Sequence, residues 1–321
     1  MDQSRKIAKH KSEEQHSRLS EHNPALASPE SKPSPDAALE ATSLSARYGP
    51  RENWSISDVT IALYPGELLA VIGPNGAGKT SLIRAITGLL PIEHGDIRIL
   101  GTPIAKTNRR SIAKLIAVVP QQSQIAFEFS VQQVVAMGRA PHQGSMLVPS
   151  KIDEETVNSV LERTNLSHLA NKPVSQLSGG EQQRVAIARA IAQQPKILIL
   201  DEATAHLDIH QKMELIEIVK TEIHQNNLAC LAIMHDINDV SLHANRVAIL
   251  NKGRITSQGQ VNQIMTANNL QLAFDVDIDI ATSEFSKTRV FIPSLPQKNR
   301  HNQTTTKKLP QDLDYSANPS L

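Results

Sequence analysis

Short apolar runs alternate with longer amphipathic stretches from Ala41 to Ser294, and polar segments flank them on both sides. The runs at Ser57–Leu63, Leu68–Ile72, Asp96–Ile99, Ile116–Val119, Ile197–Leu200, Leu228–Met234 and Arg246–Leu250 predict strands. The 3.6-residue periodicity of Ser81–Leu89, Val131–Met137, Glu154–Thr164, Gly180–Ala192 and Ile209–Gln225 predicts helices. Apolar strands that alternate with helices imply an α/β fold with a mainly parallel sheet covered on its faces. A helix-rich middle, about residues 122–180, breaks that alternation and predicts an inserted helical subdomain. One large domain is therefore expected over residues 37–295. The segments 1–36 and 296–321 are polar and lack apolar periodicity, so both are expected to be unstructured.

Composition then removes several classes of function. The chain has 321 residues, 40% of them hydrophobic, enough for a well-buried core. Its 33 basic and 32 acidic residues give a formal charge of +1, which provides no global field for nucleic acid or anionic lipid. Aromatic residues at 3% leave little material for base-stacking platforms. No apolar run approaches the ~20 residues of a membrane-spanning helix. Met1–His22 lacks the apolar centre of a secretory signal. The single cysteine, Cys230, lies in the run Leu228–Met234 and is expected to be a small core residue in a reducing compartment.

Chemistry concentrates in three places. Gly73, Pro74, Asn75, Gly76, Ala77, Gly78, Lys79 and Thr80 follow one strand and Ser81 opens the next helical pattern. Glycines let consecutive backbone N–H groups turn inward on an anion, and the helix points its positive end at the same place. This is the phosphate cradle of a nucleoside triphosphatase, in which Lys79 reaches the β- and γ-phosphates and the Thr80 hydroxyl holds Mg²⁺. The second place is Ile197–Glu202, where four apolar residues end in two carboxylates. Asp201 is suited to Mg²⁺, and Glu202 to aligning or deprotonating the attacking water. The third is Leu177–Arg184, in which Ser178 is a natural N-cap and Gly179 and Gly180 allow close approach of an anion. One triphosphate does not need two cradles, so this edge is expected to serve ATP held by a second copy of the chain.

Taken together in this order, Gly73–Thr80, Gln121, Leu177–Gln182, Asp201–Glu202 and His235 resemble the nucleotide-binding subunits of ATP-binding cassette transporters, over essentially all of Ala41–Met265. The resemblance implies a P-loop fold with a mainly parallel sheet core, an antiparallel β subdomain and an inserted α-helical subdomain. It further implies that Tyr48 stacks on adenine, that Gln121 touches Mg²⁺ and the attacking water, that His235 contacts the γ-phosphate, and that Asp208 lies at the seam between two copies. Catalysis would rest on Glu202, His235, Gln121 and Lys79, with ATP and Mg²⁺ bound. Ala203, Ala205 and His206 depart from the commonest pattern of the family, which places proline after the glutamate. The carboxylates themselves are kept.

The stretch Pro120–Val131, with Ala126-Phe127-Glu128-Phe129-Ser130-Val131, followed by Met137-Gly138-Arg139-Ala140-Pro141-His142, is similar to importers of iron chelates, haem and cobalamin, and most similar to those of haem. That segment is expected to face a permease, with His142 an ordinary surface-loop histidine. By resemblance the partners are a second copy, a polytopic inner-membrane permease dimer and, indirectly, a periplasmic substrate-binding protein. The chain would then sit at the cytoplasmic face of the inner membrane. The competing classes are a soluble ATP-driven clamp on nucleic acid or ribosomes and a partner in metal-cluster assembly. Neither sustained heptads nor excess positive charge favours the clamp.

Overall fold

The computed structural model describes residues 36–121, 128–143, 149–205, 207–285 and 287–295. Strands β1 (Leu39–Ala46), β2 (Ile56–Leu63) and β3 (Leu68–Ile72) lead into helix α1 (Lys79–Ile86). Strands β4 (Ile92–Ile99) and β5 (Thr102–Pro103), helix α2 (Arg109–Leu115) and strand β6 (Ile116–Val119) follow. Three helices come next: α3 (Val131–Met137), α4 (Lys151–Arg163) and α5 (Gly179–Ala192). The chain then runs through β7 (Ile197–Asp201), α6 (Ile209–Asn226), β8 (Ala229–Ile233), α7 (Ile237–His243), β9 (Arg246–Asn251) and β10 (Arg254–Gln260). Short α8 (Val261–Ile264), α9 (Ala267–Phe274) and the hairpin β11 (Asp277–Thr282) and β12 (Arg289–Ser294) complete it.

Two sheets divide the work. The larger has the order β10-β9-β3-β8-β7-β6, parallel throughout except for β10. The smaller, β2-β1-β4-β5, is antiparallel. All five residues of β3 are buried, because the strand is covered on both faces. Leu68, Ala70 and Ile72 pack into the core shared with α5 and α6, whereas Leu69 and Val71 pack into the core shared with α1 and the antiparallel sheet. Cys230 lies wholly buried in the first of these cores, as its apolar surroundings in sequence predict.

The helical stretch leaves the sheet after β6 and returns as β7, the adjacent strand in register with it from Ile116↔Ile197 to Val119↔Leu200. Its helices therefore form an insertion between two neighbouring strands. Each begins with a reciprocal cap: Ser130 with Gln133, Ser150 with Asp153, and Ser178 with Glu181. Helices α3 and α5 meet so closely that a Cβ added at Gly138 would stand 2.1 Å from the Arg189 carbonyl oxygen. Arg139, next in the chain, is buried and donates from Nε to Asp153 Oδ1 at 2.8 Å and from Nη1 to the Ala192 carbonyl at 2.8 Å. The expectation that 137–142 faces a permease thus fails for these two residues, which face inward; Met137 is exposed. His142 is half-buried, with its Nε2 2.8 Å from the Gln193 carbonyl oxygen. Residues 122–127 of the same signature, His206, and the flanks 1–35 and 296–321 lie outside the described residues.

Candidate functional site

Four neighbouring parallel strands, β3, β8, β7 and β6, deliver the candidate residues from their C-terminal ends, where ligands of open α/β sheets bind. The cradle follows β3, His235 follows β8, Asp201 ends β7 with Glu202 next after it, and Gln121 follows β6. Register fixes their depth, since Asp201 pairs with Ile233 on β8 and Val71 on β3 pairs with the same Ile233.

The cradle itself opens on a cleft of about 520 Å³ lined by Asn75, Gly76, Gly78, Lys79, Thr80, Ser81 and Glu202. Gly78 caps α1 at φ 104, a left-handed conformation, and a Cβ there would stand 2.5 Å from the Ser55 carbonyl oxygen. No side chain caps the start of α1, so the N–H groups of its first turn remain for an anion. Lys79 is buried, and its Nζ donates to the carbonyls of Gly73 at 2.9 Å and Pro74 at 3.1 Å. Burial lowers the Lys79 pKa, against the attraction of Glu202 and Asp201. Burial likewise raises that of Asp201, helped by repulsion from Glu202 and opposed by Arg84, Lys79 and His235. A triphosphate with a divalent cation would satisfy both of these desolvated groups.

Thr80 and Asp201 offer hard oxygen donors suited to Mg²⁺ that keeps water and phosphate oxygens in its remaining positions. Among the described residues no group of three or more His, Cys, Asp and Glu side chains could hold a metal unaided. The donor set therefore fits an ion that arrives with phosphate.

Glu202 departs from ordinary backbone geometry with φ 54, a left-handed conformation uncommon for a non-glycine residue. A turn closes behind it through Ala205 N–H to the Glu202 carbonyl at 2.9 Å. Strain of this kind is retained where the surrounding structure imposes it, often in active sites. His235 Nε2 lies 2.5 Å from Glu202 Oε1, so the imidazole contacts the carboxylate here. Asp208 caps α6 by accepting from Gln211 N–H at 2.8 Å.

Other candidates lie at the margin of the cleft or elsewhere on the surface. Tyr48 is 50% exposed, and its hydroxyl accepts from Arg84 Nη1 at 3.0 Å and from Ser81 Oγ at 3.4 Å, at the margin of the cleft that Ser81 lines. Gln121 is exposed in the bend after β6. Ser178, Gly179 and Gly180 open α5 outside the cleft. A Cβ on Gly180 would stand 2.3 Å from the Gln211 side chain, so the Ser178 edge packs directly on the helix that Asp208 caps. Four cleft residues, Trp54, Ser55, Lys252 and Gly253, escape motif reasoning. Trp54 and Lys252 both line it, from the turn before β2 and the turn after β9. The signal for Trp54 was available: the chain's one tryptophan stands in a polar stretch.

Comparison with known proteins bears on the family of the chain. A family model described as ABC transporter matches residues 56–205. The chain is 36% identical over 229 residues to a hemin import ATP-binding protein of Escherichia coli, covering 70% of this chain and 87% of that protein. It is 34% identical over 262 residues to an uncharacterized ABC transporter ATP-binding protein of Bacillus subtilis, 81% of this chain and 59% of the relative. A cobalamin import ATP-binding protein of Halobacterium salinarum is 34% identical over 227 residues, 71% of this chain and 56% of the relative. The chain thus spans little more than half the length of the last two. Among solved structures, an inward-facing transporter of metal-chelate ABC type superposes with a TM-score of 0.71 at 28% identity, covering 81% of this chain and 98% of that one. With its cradle, strand-end carboxylates and second capped edge, the chain belongs to the ABC transporter family, as one of its ATP-binding subunits with the P-loop ATPase fold.

Proposed function

We propose that this chain is the ATP-hydrolysing subunit of an importer and couples ATP binding and hydrolysis to haem (hemin) uptake across the inner membrane. The observation that carries the ATPase role is the convergence of buried Lys79 and Glu202 on one cleft. For haem, the support is the hemin-import relative, whose length the chain covers to 87%. A cobalamin or ferric-siderophore importer is the second reading, favoured by the cobalamin-import relative and the metal-chelate type structure.

In this reading the cradle residues Gly73 to Ser81 bind the triphosphate, and Lys79 exchanges its bonds to the Gly73 and Pro74 carbonyls for phosphate oxygens. Thr80, Asp201 and Gln121 would hold Mg²⁺, which neutralises phosphate charge when bound. Glu202 orients the attacking water and receives its proton. His235 sits on the other side of that carboxylate and is placed to contact the γ-phosphate. Tyr48 borders the nucleoside end.

Two copies would pair so that the Ser178–Gly180 edge of one closes over the cleft of the other, with Asp208 near the seam. Triphosphate binds the closed pair more tightly than the open one, and hydrolysis by Glu202 releases that difference to the attached permease. The chain would act as a peripheral subunit at the cytoplasmic face, with a permease dimer and, through it, a periplasmic binding protein. No described helix is long and apolar enough to cross a membrane. Reconstitution with its permease in proteoliposomes, supplied with haem, ferric siderophore or cobalamin, tests the assignment. ATP-dependent uptake of haem alone supports it. Uptake of cobalamin alone replaces the substrate, and loss of ATP hydrolysis overturns the whole reading.

A further inference from the structure

We propose that Lys252 is a second cation for the phosphate chain of the bound triphosphate, reaching it from the turn between β9 and β10. The inference rests on the nucleotide reading of the Lys79 cleft and adds to it a residue outside the recognised motifs. Among the described side chains lining that cleft, Lys79 and Lys252 are the basic ones and Glu202 is the acidic one. Lys79 is buried and already bonded to two carbonyls of the cradle. Lys252 is exposed, and among the described residues its ammonium has no ion-pair or hydrogen-bond partner. Arg254, two residues on, is engaged instead, donating from Nη2 to Ser57 Oγ at 3.2 Å.

The turn is joined to the cradle through its backbone. Asn251 pairs with Arg254 across the hairpin, so Lys252 and Gly253 form a two-residue turn, at φ 46 and φ 76. Positive φ at both central positions is the type I′ geometry. Gly253 N–H donates to the Ala77 carbonyl at 2.9 Å, and the Gly253 carbonyl accepts from Ser57 N–H at 2.7 Å. Ala77 belongs to the phosphate loop itself, so the backbone of Lys252 stands at a fixed offset from the N–H groups that receive the anion. Only its side chain has to order when a phosphate arrives.

Charge and backbone point the same way. The first central position of a type I′ turn favours Asn, Asp or Gly, which tolerate the left-handed conformation, and lysine adopts it at a cost. Mg²⁺ and Lys79 leave part of a triphosphate's charge unbalanced, and Glu202 adds to the negative side. An unpaired cation carried on the cradle's own hydrogen-bonded neighbour offsets that remainder. Because the ammonium is exposed, solvent screens it and its contribution is modest.

The left-handed backbone lets an experiment separate binding from support. Lys252→Asn places the preferred Asn-Gly pair in the turn and removes the charge. Without nucleotide this variant should unfold at or above the wild-type temperature, while its calorimetric Kd for MgATP rises about fivefold. Magnesium tripolyphosphate, which has no nucleoside, should weaken by the same factor to within about twofold. Lys252→Arg keeps the charge and should bind MgATP within about twofold of the wild type. Raising the salt concentration should shrink the difference between Lys252→Asn and wild type. An unchanged Kd for MgATP in Lys252→Asn would overturn the proposal. So would weaker MgATP with tripolyphosphate unaffected, which would assign Lys252 to the nucleoside. Weaker binding together with earlier unfolding would make the residue a support of the cradle, and would overturn it equally. If the wild-type chain binds neither ligand, the nucleotide reading itself fails, and the role of Lys252 with it.

Discussion

His235 and Glu202 touch across neighbouring strands, with Nε2 2.5 Å from Oε1, although the two residues are separated by the whole of α6 and β8. The contact gives a carboxylate at φ 54 a defined partner, and Glu202 also lines the cleft that contains Lys79. A water aligned by Glu202 would therefore meet the terminal phosphate rather than bulk solvent. Glu202→Gln keeps the shape of the side chain and removes its basicity. Phosphate release should fall about 10²–10⁴-fold, while calorimetric MgATP affinity stays close to that of the wild type. Comparable loss of binding would mean that Glu202 holds the nucleotide rather than the water.

Lys79 supplies the complementary test. It is buried and its charge is disfavoured there, a cost that a bound phosphate would offset. Lys79→Met retains the length of the side chain and loses the charge. A ligand at a concentration 100 times its Kd stabilises a fold by about 2.7 kcal/mol. Thermal unfolding of the wild type should show this shift with MgATP, and Lys79→Met should not. An undiminished shift in the variant would remove Lys79 from phosphate binding.

How far the sequence announces these features depends on whether periodicity survives folding. Strands β3 and β6 and helix α3 fall where their apolar patterns place them, because burial on both faces or a strong cap leaves little choice. Strand β1 was missed for a physical reason. Its register shifts twice, between Ala41 and Leu44 and between Leu44 and Ala46, with Ser43 at φ 47. Bulges of this kind break the alternation that pattern reading relies on. Hairpin β11–β12 differs: Asp277-Ile278-Asp279-Ile280 alternates plainly, yet it lies beyond Met265, where the family resemblance stops. The cradle and Glu202 are legible as motifs, whereas Trp54 is brought beside them only by tertiary packing. The contact of His235 with Glu202 is equally invisible in sequence, since it needs β8 between β3 and β7.

Cys230 gives a prediction about reactivity. Its thiol is fully buried in the parallel sheet, and burial pushes its pKa up to about 12. Thiolate is the reactive form, so the native chain should resist thiol reagents at pH 8. Titration with a chromogenic disulfide should give less than about one tenth of an equivalent before unfolding and one equivalent in denaturant. Rapid labelling of the native protein would mean that β8 opens readily.

Gly138 tests the packing of the inserted helices. A methyl group at this position would collide with the Arg189 carbonyl, a backbone atom that cannot turn away. Gly138→Ala should therefore lower the unfolding free energy by about 1–3 kcal/mol, the usual cost of overpacking. Denaturant titration measures it. An unchanged midpoint would show that α3 and α5 separate at little cost.

Arg139 and Asp153 carry the last prediction, one of pH. Both are buried, at 4% and 6% exposure, and the carboxylate also accepts from the Ser150 backbone and hydroxyl. The Ser150 backbone bond is the largest cause, with Arg139 next, of an Asp153 pKa lowered to about 2. An unfolded aspartate titrates near 3.9, so folding favours the ionised form. The resulting stabilisation is complete above pH about 4 and drains away as the pH falls toward about 2. Asp153→Asn preserves size and one acceptor for the cap, but leaves the Arg139 charge buried without its counterion. Breaking a buried pair in this way costs about 3–5 kcal/mol at neutral pH. Urea unfolding at pH 7, 4 and 2.5 distinguishes the two chains: the wild type should lose more stability than the variant between pH 4 and 2.5. Parallel losses would show that Asp153 is not the group whose protonation loosens the helical insertion.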